Sequence, residues 1–140
     1  MSKEILVALD NSDYAEKVML EAIKLAQAYG TKLFGVAVVD DSYFADDEFP
    51  YSDATYDYWK ASFQKVLDKC HELAEKSDIY YIHKLVHGNP AEQIMKAAEE
   101  WNVDIIVLGH LGKNAAKGFA IGSVAQKVTA YAKCSVLVVK

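Results

Sequence analysis

Gly109 and Gly112 enclose two residues, nine more follow, and then comes the pair Gly122-Ser123. Gly109 closes an apolar run, where a missing side chain lets a ribose or phosphate approach the backbone. Gly112 permits a turn with its amides pointing inward. Gly122-Ser123 opens a helical pattern, and at such a start free amides and the helix dipole favour an anion. Together these residues suit a polyphosphate cradle that works without a Walker lysine. On spacing alone, turn glycines and a helix cap are the lesser reading. Across from them, Asp10-Asn11-Ser12 follows the first apolar run.

Other chemistries lack their residues. There is no G-x-G-x-x-G, no G-x-x-x-x-G-K-[ST] and no G-x-S-x-G, so a dinucleotide fingerprint, a Walker loop and a serine-hydrolase elbow are unsupported. His71, His83, His87 and His110 show no zinc spacing, and no H-E-x-x-H occurs. No catalytic residue and no metal ligand is assigned. His110 reads as a hydrogen-bonding side chain in a turn rather than a catalyst. Cys70 and Cys134 stand apart, one on a helix and one before a strand, and predict free thiols rather than a disulfide scaffold.

The elements that must position the glycines are five apolar runs alternating with helical stripes. The runs Ile5–Leu9, Leu33–Val39, Ile79–Val86, Val103–Leu108 and Val136–Val139 have strand lengths and β-branched content. Between them Ala15, Val18, Ala22, Leu25/Ala26 and Tyr29 mark one helix face. Phe63, Val66/Leu67, Cys70 and Leu73/Ala74 mark a second, Ala91, Ile94/Met95 and Ala98 a third, and Val124, Val128 and Tyr131 a fourth. Asn89-Pro90-Ala91-Glu92 predicts a capping box, Ser123 with Gln126 predicts another, and Gly30 closes the first helix. Strand–helix alternation predicts an α/β fold, an open doubly wound parallel sheet covered on both faces. Ile5–Leu9 and Val103–Leu108 belong in its centre, and the more polar third run at an edge. In such sheets ligands bind beyond the carboxyl ends of the strands, where Asp10 and Gly109 stand. Asp40 to about Thr55 is acidic and aromatic, and reads as a long connection, either a solvated, mobile loop or a lid or partner-docking segment beside the ligand site.

With 140 residues, 52% hydrophobic and 25% charged, the chain suits one folded domain spanning 1–140. A net charge of −5 disfavours nucleic acid and anionic membranes as partners. Met1-Ser2-Lys3-Glu4 runs straight into a strand pattern, and no apolar run approaches the roughly 18–20 residues of a membrane span. The expectation is a soluble, cytoplasmic protein.

The spacing Gly109-x-x-Gly112, nine residues, Gly122-Ser123 is that of the ATP-binding branch of the universal stress proteins, and the chain resembles that family throughout. The resemblance extends over the opening strand with Asp10, Val39-Asp40, the Val86-His87-Gly88-Asn89-Pro90 turn, Val103–Val107 and the Val136–Val139 finish. It implies five strands in the order 3-2-1-4-5 with four helices, a Rossmann-like sheet of the adenine nucleotide alpha hydrolase type. It implies ATP, with Mg2+, lying across strands one and four. Ala8 and Leu9 with Val38 and Leu108 would form the adenine slot. Asp10 would meet ribose or adenine-side groups and Gly109 the ribose. Gly112, Gly122, Ser123 and Val124 would hold the phosphates, Ser123 also capping its helix. The implied role is a nucleotide-dependent regulatory or stress-response module with an unnamed protein partner, and a homodimer through the last strand. A slow ATPase or nucleotidyl-transfer enzyme, and a nucleotide-free dimerisation module, are the alternatives. The chain departs from the family pattern at Asn11, where glycine is common and asparagine tolerates a left-handed backbone. It departs also at His110-Leu111, where small or polar residues are usual, and at Ser135, where proline is.

Overall fold

The computed structural model describes residues 3–40, 53–111 and 121–140. In chain order the elements are β1 (Ile5–Leu9), α1 (Ala15–Tyr29), β2 (Leu33–Asp40), α2 (Asp53–Lys76), β3 (Tyr81–Gly88), α3 (Pro90–Glu100), β4 (Ile105–Gly109), α4 (Ser123–Tyr131) and β5 (Ser135–Val139). All strand pairs are parallel, in the order β3-β2-β1-β4-β5. β1 lies at the centre and is buried at every position, as a parallel strand covered on both faces must be. Its alternation divides the core. Ile5, Val7 and Leu9 pack under α1 and α2, while Leu6 and Ala8 pack under α3 and α4.

Three helices stop by one device. Gly30 takes a left-handed φ of 63°, and the Thr31 amide reaches back to the Ala26 carbonyl. α2 and α3 end the same way with a different residue. Asp78 has φ 56° with Ile79 N–H bonded to Ala74, and Asn102 has φ 50° with Val103 N–H bonded to Ala98. This corrects two expected strand starts. Ile79 and Val103 are the apolar residues that close helices, so β3 begins at Tyr81 and β4 at Ile105.

Four other expectations change. α2 starts at Asp53, ten residues before its expected stripe, so Asp53–Thr55 are helical; residues 41–52 of the acidic stretch lie outside the described residues. β2 runs on to Asp40, and β3 takes in His87 and Gly88, leaving Asn89 as the whole turn before α3. Asn89 does cap α3: its side chain accepts from the Glu92 amide at 3.1 Å, with Pro90 in the first turn. Ser123 does not cap α4. Gly122 holds the cap position with no side-chain bond, and the Gln126 side chain bonds instead to the Ile121 carbonyl.

Candidate functional site

β1, β2 and β4 end together on one side of the sheet, and a cleft of about 440 Å³ opens there. Its floor is apolar: Ala8, Val38 and Leu108 are each less than a tenth exposed. That volume is in the range of small-molecule sites.

The β1 side is built by hydrogen bonds within the turn. The Ser12 amide donates to Asp10 Oδ1 at 2.9 Å, and the Tyr14 amide to Ser12 Oγ at 3.3 Å. This Asx turn carries the chain into α1 and holds the Asp10 carboxylate at the cleft. Asn11 does not use the left-handed backbone expected of it. Its φ is negative, and its side chain instead donates to Ser62 Oγ on α2 at 3.2 Å, tying the β1 turn to that helix.

The β4 side is built around His110. Its backbone and side chain both point to Val139 at the end of β5, with the amide at 2.9 Å and Nδ1 at 3.2 Å from the same carbonyl oxygen. That oxygen only accepts, so Nδ1 carries a proton. The His110 carbonyl in turn accepts from the Gly122 amide at 2.6 Å. The Gly122 amide is therefore occupied, contrary to the expectation of a free donor there. The first intrahelical bond of α4 runs from Gln126 to Gly122. The amides of Ser123, Val124 and Ala125 thus have no acceptor among the described residues, as the geometry of a helix start dictates. All three residues line the cleft. At Gly109 a methyl group would come 3.2 Å from Val18 Cγ2, so packing on α1 restricts this position as well as any ligand would.

Of the residues singled out in the sequence, Ala8, Leu9, Asp10, Val38, Leu108, Gly109, Gly122, Ser123 and Val124 all line this cleft. Gly112 lies outside the described residues. Not foreseen were Asp40, Trp59 and Phe63 of α2, Pro90 and Ile94 of α3, and Tyr14. Trp59 stands one helical turn before Phe63 and carries that stripe into the cleft. Its spacing was the signal, hidden by exposed neighbours such as Tyr58. No arginine occurs in the chain, and no lysine lines the cleft among the described residues. Nor do three potential metal ligands gather anywhere among them.

The family model described as "Universal stress protein family" matches residues 1–140. A universal stress protein of Methanocaldococcus jannaschii is 32% identical over 139 residues, covering 99% of this chain and 82% of that protein. The solved UspA of Lactobacillus plantarum superposes with a TM-score of 0.81 at 24% identity, over 100% of this chain and 99% of that one. A universal stress protein from Archaeoglobus fulgidus, solved in complex with dAMP, gives 0.73 at 23% identity over 99% and 98% of the two chains. Another, in complex with cAMP, gives 0.73 at 21% over the same shares.

Proposed function

Because this chain belongs to the universal stress protein family, we propose that its cleft binds ATP with Mg2+ and that the bound nucleotide biases contacts with a protein partner in a cytoplasmic stress response. The observation that carries this reading is the pairing of an apolar slot with an uncapped helix start. Ala8, Leu9, Val38 and Leu108 offer an adenine ring a buried surface, and the amides of Ser123, Val124 and Ala125 offer phosphates three donors and the positive end of a dipole. Asp10 gives one carboxylate oxygen to Ser12, and a carboxylate with further lone pairs suits a ribose hydroxyl. Gly109 lines the same cleft beside the proposed sugar position, and Gly122 orients the helix through its bond to His110. The dAMP and cAMP complexes of the two similar proteins support an adenine nucleotide with at least one phosphate. The metal would arrive on the phosphates, since no ready-made trio of protein ligands awaits it among the described residues.

Holding, rather than splitting, ATP is the activity this inventory supports. Phosphoryl transfer draws on cationic side chains to offset charge on the departing group, at rates of roughly 1–100 per second in kinases. The described cleft contains no lysine or arginine. Cys70 and Cys134 are free thiols, which suits a reducing compartment. The partnering surface we assign to the edge strand β5, as a homodimer contact.

Calorimetric titration of Mg-ATP into the parent protein, Ser123→Ala and Ser123→Pro tests the site. Proline fits the first position of a helix, and Gly122 before it has φ −60° and ψ 155°, which proline tolerates in its predecessor. The substitution therefore deletes one donor without breaking the helix. Loss of a charge-assisted hydrogen bond implies about a tenfold or greater drop in affinity for Ser123→Pro beyond that of Ser123→Ala, at unchanged melting temperature. Equal binding by all three would place the phosphates elsewhere.

A further inference from the structure

Two carboxylates, Asp10 and Asp40, line the cleft, and among its described residues only His110 has a side chain that can become a cation. An anionic ligand entering there meets like charge unless something offsets it. The His110 ring is positioned for that task. Its Nδ1–H is committed to the Val139 carbonyl at 3.2 Å, and its edge meets the Tyr14 ring at 6.1 Å between centroids. This leaves Nε2 as the second ring nitrogen, with no bond to it among the described residues. Its carbonyl meanwhile anchors the amide of Gly122, and His110 lines the cleft together with Ser123 and Val124 at the start of α4.

We propose that His110 is a ligand-binding residue of this cleft, which takes up a proton at Nε2 when a phosphate binds and donates that N–H to it. The inference rests on the nucleotide reading of the cleft and adds a side-chain donor to the backbone amides of that reading. With Nδ1–H held by a carbonyl, the neutral ring has only a lone pair at Nε2 and cannot donate to a phosphate oxygen. The imidazolium can. Binding of phosphate is thereby coupled to binding of a proton. Asp10 on the β1 side and Asp40 at the end of β2 line the cleft with His110, and Lys140 follows its partner Val139 in the chain. The Tyr14 ring, from the turn before α1, meets the His110 ring edge-on. Glu16 and Lys17 on α1 and Lys127 on α4 do not line the cleft.

The test uses metal-free AMP and adenosine, so that neither magnesium nor a polyphosphate masks the effect. Each is titrated into the parent, His110→Asn and His110→Gln at pH 6 and pH 8, in two buffers of different ionisation enthalpy, to count protons taken up. Asparagine can keep the bond to Val139 while removing Nε2; glutamine keeps a neutral polar group near the Nε2 position. The parent should take up a proton with AMP but none with adenosine. Its AMP affinity should rise about tenfold from pH 8 to pH 6, the scale of one charge-assisted hydrogen bond. Both variants should bind adenosine as the parent does, with AMP affinity changing no more than the phosphate's own titration requires. If AMP binds the parent with the same proton count and pH dependence as the variants, His110 is not the phosphate's cation. If the variants lose adenosine too while their melts stay parental, His110 shapes the cleft and the charge role fails. If the parent binds neither ligand, the nucleotide reading fails, and this inference with it.

Discussion

The Asn89 side chain accepts a bond from the Glu92 amide at the start of α3, whereas Ser123 at the start of α4 makes no such bond. The two helix starts therefore have different energetics. Asn89→Ala should cost about 1 kcal/mol, the usual value of an N-cap. Ser123→Ala should stay within about 0.5 kcal/mol, as for a surface substitution with no partner to lose. Urea denaturation of the two variants without ligand measures both. A cost at Ser123 as large as that at Asn89 would mean the hydroxyl caps α4 in solution. The contrast matters for function, because a helix start left uncapped by its own side chains keeps its amides for a ligand.

At the scale of elements, β3 and α2 form a corner that gathers titratable groups, with Cys70 and Tyr81 buried and His83 half-buried. Tyr81 lies flat over β2 because position 35 is glycine. A methyl there would run into the Tyr81 hydroxyl and come 2.7 Å from its ring carbons. Gly35→Ala should therefore destabilise by about 1–3 kcal/mol. Combined with Tyr81→Leu it should cost less than the sum of the two, since the pair is in direct contact; additivity in equilibrium melts would refute the clash. Tyr81 stacks on His83 at 4.8 Å, and His71 on α2 stands 5.5 Å from His83. Burial, then the neighbouring His71, lowers the His83 pKa, with Asp68 partly opposing. Burial, then Glu16, raises the Cys70 thiol to about 12 from an ordinary value of 9.0. Burial also raises Tyr81. The signs follow from proton counts. Below the ordinary histidine range the unfolded chain binds a proton that native His83 resists, so stability falls as pH drops through about 6.5. Above pH 9.0 the unfolded chain releases a thiol proton that native Cys70 keeps, so stability falls again as pH rises toward 12. Denaturation midpoints across pH should show both limbs, and His83→Gln should flatten the acid one. An unchanged acid limb in that variant would assign it to other groups.

At the scale of the molecule, topology leaves β5 at one edge of the sheet, with Leu137 40% exposed. An apolar edge strand is a template for pairing with a second copy. Light scattering at micromolar concentration should give twice the monomer mass, and Leu137→Lys or Val138→Lys should give the monomer with the sheet intact by circular dichroism. A monomeric parent, or a dimer indifferent to both lysines, would remove β5 as the contact. His110 lines the cleft and bonds to the last residue of β5, so one residue links the cleft to this edge. No helix among the described residues is long and apolar enough to cross a membrane.

What the amino-acid sequence determined by itself was whatever a local repeat encodes. Short β-branched apolar runs and period-3.6 apolar stripes specify five strands and the helices between them, and the glycine spacing with its flanking strands carried the family and thus the strand order. Those signals are legible because burial on a sheet demands the same residue types wherever it occurs. It failed where one residue type serves two ends. Ile79 and Val103 look like strand residues but close helices, since an apolar side chain after a left-handed Asp78 or Asn102 packs back on the helix it ends. The first turns of α2 were hidden because, from Asp57 to Ser62, no side chain is fully buried. Only the tertiary structure could bring Trp59 and Phe63 to the cleft, occupy the Gly122 amide with the His110 carbonyl, and tie His110 to Val139 across 29 residues. Those contacts join segments distant in the chain, and no local pattern records which carbonyl a given amide will meet.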